Sequence, residues 1–132
     1  MRPEVIVHHL AQAEAVLLAA GEAGVDVQLR SAPGAAGYAG VGYLKALGET
    51  VGHELLIDCG DDAGVVMAAL RAGCNKLMFT GKADERQRLG EMAERQDAAL
   101  QGPSDPAPPS LALLPDEDGS SVRPWLEALH DR

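Results

Sequence analysis

Residues able to do chemistry collect in this sequence directly after short apolar runs. The three clearest cases are Asp58-Cys59-Gly60-Asp61-Asp62 after Leu55-Leu56-Ile57, His8-His9 after Val5-Ile6-Val7, and Thr80-Gly81-Lys82 after Leu77-Met78-Phe79. A buried strand that leaves a sheet and turns into a helix gives this pattern. Ligands of open α/β sheets bind beyond the carboxyl ends of the strands, so we expect a ligand site at that edge.

Three residues are candidates for catalysis: His9, Asp58 and Cys59. A carboxylate at the end of a buried strand needs a partner, and a histidine after strand 1 can supply one and form an acid–base pair with Asp58. Cys59 lies where a helix N-terminus can lower a thiol pKa, although a small buried hydrophobe is the alternative interpretation.

A second set of residues is predicted to bind the ligand. It consists of Ser31, Gly34, Gly60, Asp61, Thr80 and Gly81. The structural alternatives are helix capping by Asp61 or Asp62 and backbone bonding by the Ser31 and Thr80 hydroxyls. None of these residues has a recognised metal spacing, so we predict no metal site, and the sequence identifies no cofactor.

The glycine-rich run Gly34–Gly42 follows a predicted strand and opens a predicted helix over Ala35–Leu47. Backbone N–H groups in that context can hold a phosphate, but the run matches neither common phosphate-binding motif. Gly37 and Gly40 lie three residues apart on one helical face, which favours close packing of another helix or subunit. Tyr38 and Tyr43 flank this face and suit an interface rim or a lid over a ligand.

The elements that position these residues alternate between strands and helices. The segments 5–7, 25–30, 55–57 and 77–79 are predicted strands, 98–100 is a weak fifth, and helices follow over 11–20, 35–47, 63–72 and 83–96. This order predicts an α/β domain with a mostly parallel sheet of four or five strands. Apolar and polar residues alternate strictly in Val25–Arg30, which indicates that one face of strand 2 is exposed to solvent. We therefore expect strand 2 at an edge of the sheet, which favours the flavodoxin-like order 2-1-3-4-5. A half-barrel of βα repeats is the alternative.

Helices 63–72 and 83–96 differ in character. The first is apolar up to Arg71 and is predicted to be buried on all sides. The second is amphipathic, with Leu89, Met92 and Ala93 as its inner stripe.

Composition limits the classes of partner. The formal net charge is −9, with 11 Lys and Arg against 20 Asp and Glu, which opposes binding to nucleic acid or to an anionic membrane surface. The 2 cysteines form no zinc or redox spacing, and with no leader-like or membrane-spanning run they predict a reduced, cytoplasmic protein.

Four prolines between residues 103 and 109 mark a change in the chain. We expect an α/β domain over 1–102 and an acidic, Pro-rich tail over 103–132 with a short terminal helix around Trp125, Leu126 and Leu129. Two functions fit this organisation. One is binding of a small phosphate- or carboxylate-bearing molecule, with no reaction specified; the other is a non-enzymatic homo-oligomeric module that uses the glycine-rich helix and the tail.

The text around Gly24-Val25 and Leu29-Arg30-Ser31 resembles the ends of small class I aldolases of the 2-keto-3-deoxy-6-phosphogluconate type. That resemblance implies a Schiff-base lysine in a late strand and a glutamate in an early one. The similar positions here hold Leu77 or Met78 and Gln28, which argues against aldolase chemistry.

Overall fold

The computed structural model describes residues 2–130. In this part of the chain the strands are β1 (Glu4–Ile6), β2 (Gln28–Arg30), β3 (Ile57–Asp58), β4 (Lys76–Met78), β5 (Ala99–Gln101) and β6 (Ser110–Ala112). The helices are α1 (Leu10–Ala23), α2 (Ala35–Tyr38), α3 (Val41–Val51), α4 (Ala63–Arg71), α5 (Ala83–Glu94) and α6 (Val122–His130). The α/β class predicted from the sequence is confirmed.

All strand pairs are parallel, and they form two small sheets. The first has the order β2-β1-β6 and the second has the order β3-β4-β5. A single bridge between Arg30 and Leu56 links the sheets, and Leu56 exchanges backbone hydrogen bonds with Leu29 and Ser31 there. Up to β5, each strand therefore lies next to the strand before or after it in the chain.

The prediction of one sheet of four or five strands with the flavodoxin-like order 2-1-3-4-5 is wrong. β1 lies between β2 and β6, and β3 pairs with β4 rather than with β1. The error came from the alternation in Val25–Arg30, which was interpreted as a face exposed to water. Gln28 is instead buried, and Arg30 lies between carboxylates from both sheets.

The two faces of the strands have opposite chemistry. One face carries Val5, Leu29, Ile57 and Leu77, which belong to a single hydrophobic core shared with the helices. The strand registers place a second set on the opposite face: Glu4, Ile6, Gln28, Arg30, Leu56, Asp58, Lys76, Met78 and Gln101. We call this second set the inner face, because its side chains from the two sheets contact one another.

The predicted helix over Ala35–Leu47 is two helices, so that prediction is wrong. Gly40 breaks it by adopting a φ of 94° with ψ 136°, a conformation that side-chain-bearing residues rarely adopt. A Cβ on Gly37 would lie 3.8 Å from Val65, an ordinary contact, whereas Gly40 faces open space. Gly40 is therefore a helix break and not a close-packing position within the chain.

Helix α4 begins at a cap that the sequence predicted. The Asp62 carboxylate accepts hydrogen bonds from the N–H groups of Gly64 at 2.9 Å and Val65 at 3.3 Å. The prediction that this helix is buried on all sides is wrong, because only Val66, Ala69 and Leu70 are fully buried.

Helix α5 has the predicted inner stripe. Leu89 and Ala93 are buried, and Met92 is half-buried against the core. Its remaining exposed residues are mostly charged, as an amphipathic surface helix requires.

Residues after the Pro-rich segment pack on the rest of the chain. β6 pairs with β1, α6 packs on α1, and Leu113, Val122 and Leu126 are buried in the common core. Among the described residues, no helix is both long and apolar enough to span a bilayer.

Candidate functional site

Asp58 is the centre of a hydrogen-bond network at the carboxyl ends of the strands. Its side chain is 3% exposed; Oδ2 accepts from Arg30 Nη2 at 2.7 Å, and Oδ1 accepts from the N–H groups of Gly34 at 3.0 Å and Gly60 at 2.8 Å. The Asp58 N–H donates to Ser31 Oγ at 2.8 Å. One carboxylate therefore holds β2, the loop before α2 and the loop before α4 together.

Glycine is required on both sides of this carboxylate. Gly34 and Gly60 have φ values of 69° and 61°, which favour a residue without a Cβ. A Cβ on Gly60 would also come within 3.4 Å of the Gly34 Cα. The two backbones approach closely enough for their N–H groups to reach the same oxygen.

Arg30 joins this network to β1. Its Nη1 donates to Glu4 Oε1 at 2.7 Å, so the guanidinium lies between two carboxylates, one from each sheet. The Arg30 Nε is buried and has no hydrogen-bond partner among the described residues. One Arg and two carboxylates give this triad a formal charge of −1, and the buried N–H is a donor left for another group.

A cavity of about 180 Å³ lies beside Arg30. Its wall combines inner-face residues with part of the Pro-rich segment: Glu4, Arg30, Met78, Thr80, Gln101, Pro103, Ser104, Ala107 and Pro108. The segment connects the end of β5 to the start of β6, and four of its residues line the cavity together with residues of the inner face. It therefore covers part of the site.

A second polar cluster occupies the amino-terminal half of the inner face. Gln28 Oε1 accepts from Arg2 Nη1 at 2.7 Å and from Lys76 Nζ at 3.1 Å. Gln28 Nε2 donates to the carbonyls of Leu29 and Glu54, both at 2.8 Å. All the Gln28 side-chain groups thus have partners, which explains why a buried glutamine is tolerated here.

The predicted pair of His9 and Asp58 is not formed among the described residues. The His9 ring bonds the Pro115 carbonyl at 3.1 Å, and the His8 ring bonds the Leu113 carbonyl at 2.7 Å. Both histidines bind the segment after β6, and Asp58 pairs with Arg30 instead of with a histidine.

Cys59 belongs to the hydrophobic core. Its side chain is on the face opposite the inner face, packed in the core, and its thiol donates a hydrogen bond to the Ile57 carbonyl at 3.8 Å. Burial, and secondarily the neighbouring Asp58 carboxylate, raise the pKa of Cys59 to about 12. The thiol is therefore protonated near neutral pH, which is the opposite of what nucleophilic catalysis requires.

The other predicted binding residues are divided between the cavity and the loops. Ser31, Gly34 and Gly60 support Asp58, and Thr80 lines the cavity while its N–H donates to the Gly60 carbonyl at 2.8 Å. Asp61 is exposed to solvent. Gly81 packs against Phe79 so closely that a Cβ would overlap the ring, so its role is steric.

Sequence reasoning left Glu4, Gln101 and Ser104 out of the site. The strict alternation in Val25–Arg30 was a usable signal, because it placed Gln28 and Arg30 on the same polar face. The partners of that face come from β1, β4 and the Pro-rich segment, which have no local signature of this kind.

Comparison with known proteins gives no family for this chain. No family model matches it, and no curated protein sequence matches it significantly.

Within residues 2–130, no three His, Cys, Asp or Glu side chains lie close enough to share a metal ion.

Proposed function

We propose that this chain binds a small carboxylate-bearing molecule in the cavity beside Arg30. The supporting observation is the buried Arg30 Nε, which has no partner among the described residues and belongs to a side chain that lines a cavity of about 180 Å³. A buried donor without a partner costs about 1–3 kcal/mol. Because solvent does not reach the Nε, a ligand oxygen recovers that free energy only when the Arg30 side chain shifts toward the cavity on binding.

The proposed site has the shape of one end of a small barrel. The two sheets are interpreted as one open βα barrel whose strands follow chain order, with the inner face as its interior. In βα barrels the ligand lies at the carboxyl ends of the strands, where Arg30, Thr80 and Gln101 are found. The ligand position proposed here is the one expected from the sequence, at the carboxyl edge of the strands.

The size and charge of the cavity limit the kinds of ligand that it can bind. The cavity volume of about 180 Å³ lies below the range of about 300–1,000 Å³ that is usual for drug-sized ligands, which favours a ligand of few atoms. Glu4 and Asp58 already balance Arg30, so a phosphate dianion is disfavoured relative to a carboxylate monoanion. Thr80, Gln101 and Ser104 supply neutral donors and acceptors, which suit a hydroxy or keto group beside the carboxylate.

Binding is tested with glycolate, malate, acetate and inorganic phosphate as probes. We expect glycolate to raise the Tm and to shift the Arg30 Nε–H resonance in an NMR spectrum, with a smaller effect from acetate, which has no hydroxyl group, and from malate and phosphate, which carry more negative charge. Thr80→Val should reduce the affinity about tenfold by removing one hydrogen bond.

Thr50→Val is the matched control, because Thr50 is exposed on α3 and its hydroxyl bonds the Ala46 carbonyl at 2.8 Å. The control should bind like the wild type. The proposal fails if no probe moves the Arg30 resonance, or if Thr50→Val and Thr80→Val weaken binding equally.

The free sheet edges favour a second candidate, a homodimer without catalytic activity. Among the described residues, β5 pairs only with β4 and β6 pairs only with β1. In a two-fold dimer, β5 of each copy can pair with β6 of the other and remove both edges. A monomer mass in light scattering at high micromolar concentration would contradict this candidate.

A further inference from the structure

A second cavity, larger than the one beside Arg30, lies at the other end of the strands. It has a volume of about 400 Å³ and lies between α3, the segment before β3 and the turn between α4 and β4. This volume is within the range of small-molecule sites, about 300–1,000 Å³. Leu44, Leu55 and Ile57 line it, and all three belong to the hydrophobic core.

Glycines create this space. A Cβ on Gly48 would come within 2.9 Å of the His53 carbonyl, so glycine lets α3 lie directly against the chain before β3. Gly52 and Gly73 also line the cavity, and their φ values of 67° and 85° disfavour any larger residue.

Apart from the Glu54 carboxylate, the polar side chains at this cavity are paired or uncharged. Lys45 Nζ pairs with Glu49 Oε1 at 3.2 Å. His53 Nε2 accepts the Leu29 N–H at 3.4 Å, which places the ring proton on Nδ1 and leaves one N–H donor on the ring. Burial is the largest cause of a lowered His53 pKa, followed by the positive charges of Arg2 and Lys76. The neutral ring is therefore the stable form near neutral pH.

We propose that this cavity is a second binding site, specific for an uncharged and mostly apolar molecule with one hydrogen-bond acceptor. The apolar floor binds the body of the molecule, and the His53 Nδ1–H or the Asn75 amide donates to its acceptor. A carboxylate is disfavoured because Glu49 and Glu54 also line the cavity, and the one lysine there is already paired.

Cys74 provides a direct probe of the site, because its thiol is buried but belongs to a residue that lines the cavity. Cys59 is an internal control: it is also buried, but it does not line this cavity. Iodoacetamide alkylates a thiolate when the sulfur attacks the methylene carbon and iodide leaves, the thiol proton having passed to the buffer. Mass spectrometry measures the rate at each cysteine.

We expect Cys74 to react about tenfold faster than Cys59 in the folded protein. Cyclohexanone should slow the alkylation of Cys74, and cyclohexanecarboxylate should not. Asn75→Trp should fill the mouth of the cavity and abolish the effect of cyclohexanone, whereas Gln96→Trp, at an exposed position outside the cavity, should leave it unchanged.

Equal reaction of the two cysteines, or protection by cyclohexanone that survives Asn75→Trp, would overturn the proposal. If Asn75→Trp does not fold, the wild type decides: cyclohexanone must shift the amide resonances of Gly48, Gly73 and Asn75 in an NMR titration. Unchanged resonances at those three positions would equally overturn it.

Discussion

Replacing Asp58 by asparagine tests whether one carboxylate organises the carboxyl ends of the strands. The asparagine oxygen can still accept from the Gly34 and Gly60 N–H groups, which lie 3.0 Å and 2.8 Å from Asp58 Oδ1. The amide nitrogen then takes the place of Oδ2 and faces Arg30 Nη2, which lies 2.7 Å from that oxygen in the wild type. Two donors would meet there, so the guanidinium loses one of its two partners.

The expected loss of stability follows from these contacts. A hydrogen bond between charged groups contributes about 1.5–3 kcal/mol, and breaking a buried ion pair by removing one partner costs about 3–5 kcal/mol. The Arg30 side chain is 15% exposed and keeps Glu4, so the upper end of that combined range does not apply. We expect Asp58→Asn to reduce the free energy of unfolding by about 2–4 kcal/mol.

Urea denaturation followed by circular dichroism measures this change. Asp61→Asn is the matched control: the residue lies three positions away and is exposed, so it should change stability by less than about 0.5 kcal/mol. A double-mutant cycle with Arg30→Met should return a coupling free energy of about 1–3 kcal/mol. Equal stability of the two asparagine variants, or a coupling near zero, would refute the organising role of Asp58.

Three further predictions concern the rest of the chain. The buried Gln12 amide accepts from the His8 N–H and donates to the carbonyls of residues 114 and 117. Gln12→Leu should therefore lower the free energy of unfolding by about 2–4 kcal/mol in urea denaturation and make residues 113–117 susceptible to limited proteolysis. Leu126→Ala should cost about 2–5 kcal/mol, measured in the same way, because this fully buried side chain holds α6 on the core. Burial lowers the His53 pKa below 6.5, so the neutral ring contributes stability above pH 6.5, and this contribution is lost as the pH falls below that value. Chemical denaturation at several pH values should therefore show that the free energy of unfolding falls more steeply with decreasing pH for the wild type than for His53→Gln.

Local pattern was sufficient to locate most strands and helices. Leu77-Met78-Phe79, apolar on both faces and followed by Thr80-Gly81, was predicted as a strand, and β4 lies at Lys76–Met78. The helix predicted over 11–20 is α1, which runs on to Ala23 and is capped by Gly24 with a φ of 67°. Such signals are contained within a few residues, so they can be recognised without knowing the tertiary structure.

The arrangement of the strands could not be obtained in the same way. Alternation in Val25–Arg30 shows that β2 has one polar face, but it does not show whether that face meets water or another polar surface. The deciding contacts are Arg30 with Glu4 and with Asp58, which are 26 and 28 residues away, and Lys76 with Gln28, which is 48 residues away. An inner polar face is therefore indistinguishable from a solvent-exposed face until its partners are known.

The histidine prediction failed for a related reason. The sequence indicated that Asp58 needs a partner, and that expectation agrees with the three hydrogen bonds its carboxylate accepts. The partner was misassigned because His8 and His9 are bound by carbonyls more than 100 residues further along the chain, in a segment predicted to form a tail.

The distribution of partners within the triad also indicates which carboxylate is available to a ligand. Asp58 uses both oxygens to hold Arg30 and two loops, so changing its bonding disturbs the framework. Glu4 accepts one side-chain hydrogen bond among the described residues, from Arg30, and it lines the cavity. The proposed carboxylate ligand can therefore reach Arg30 on the Glu4 side while Asp58 keeps the strands in place. Ligand recognition is accordingly expected on the Glu4 side of Arg30, and Asp58 is expected to act as the structural support of Arg30.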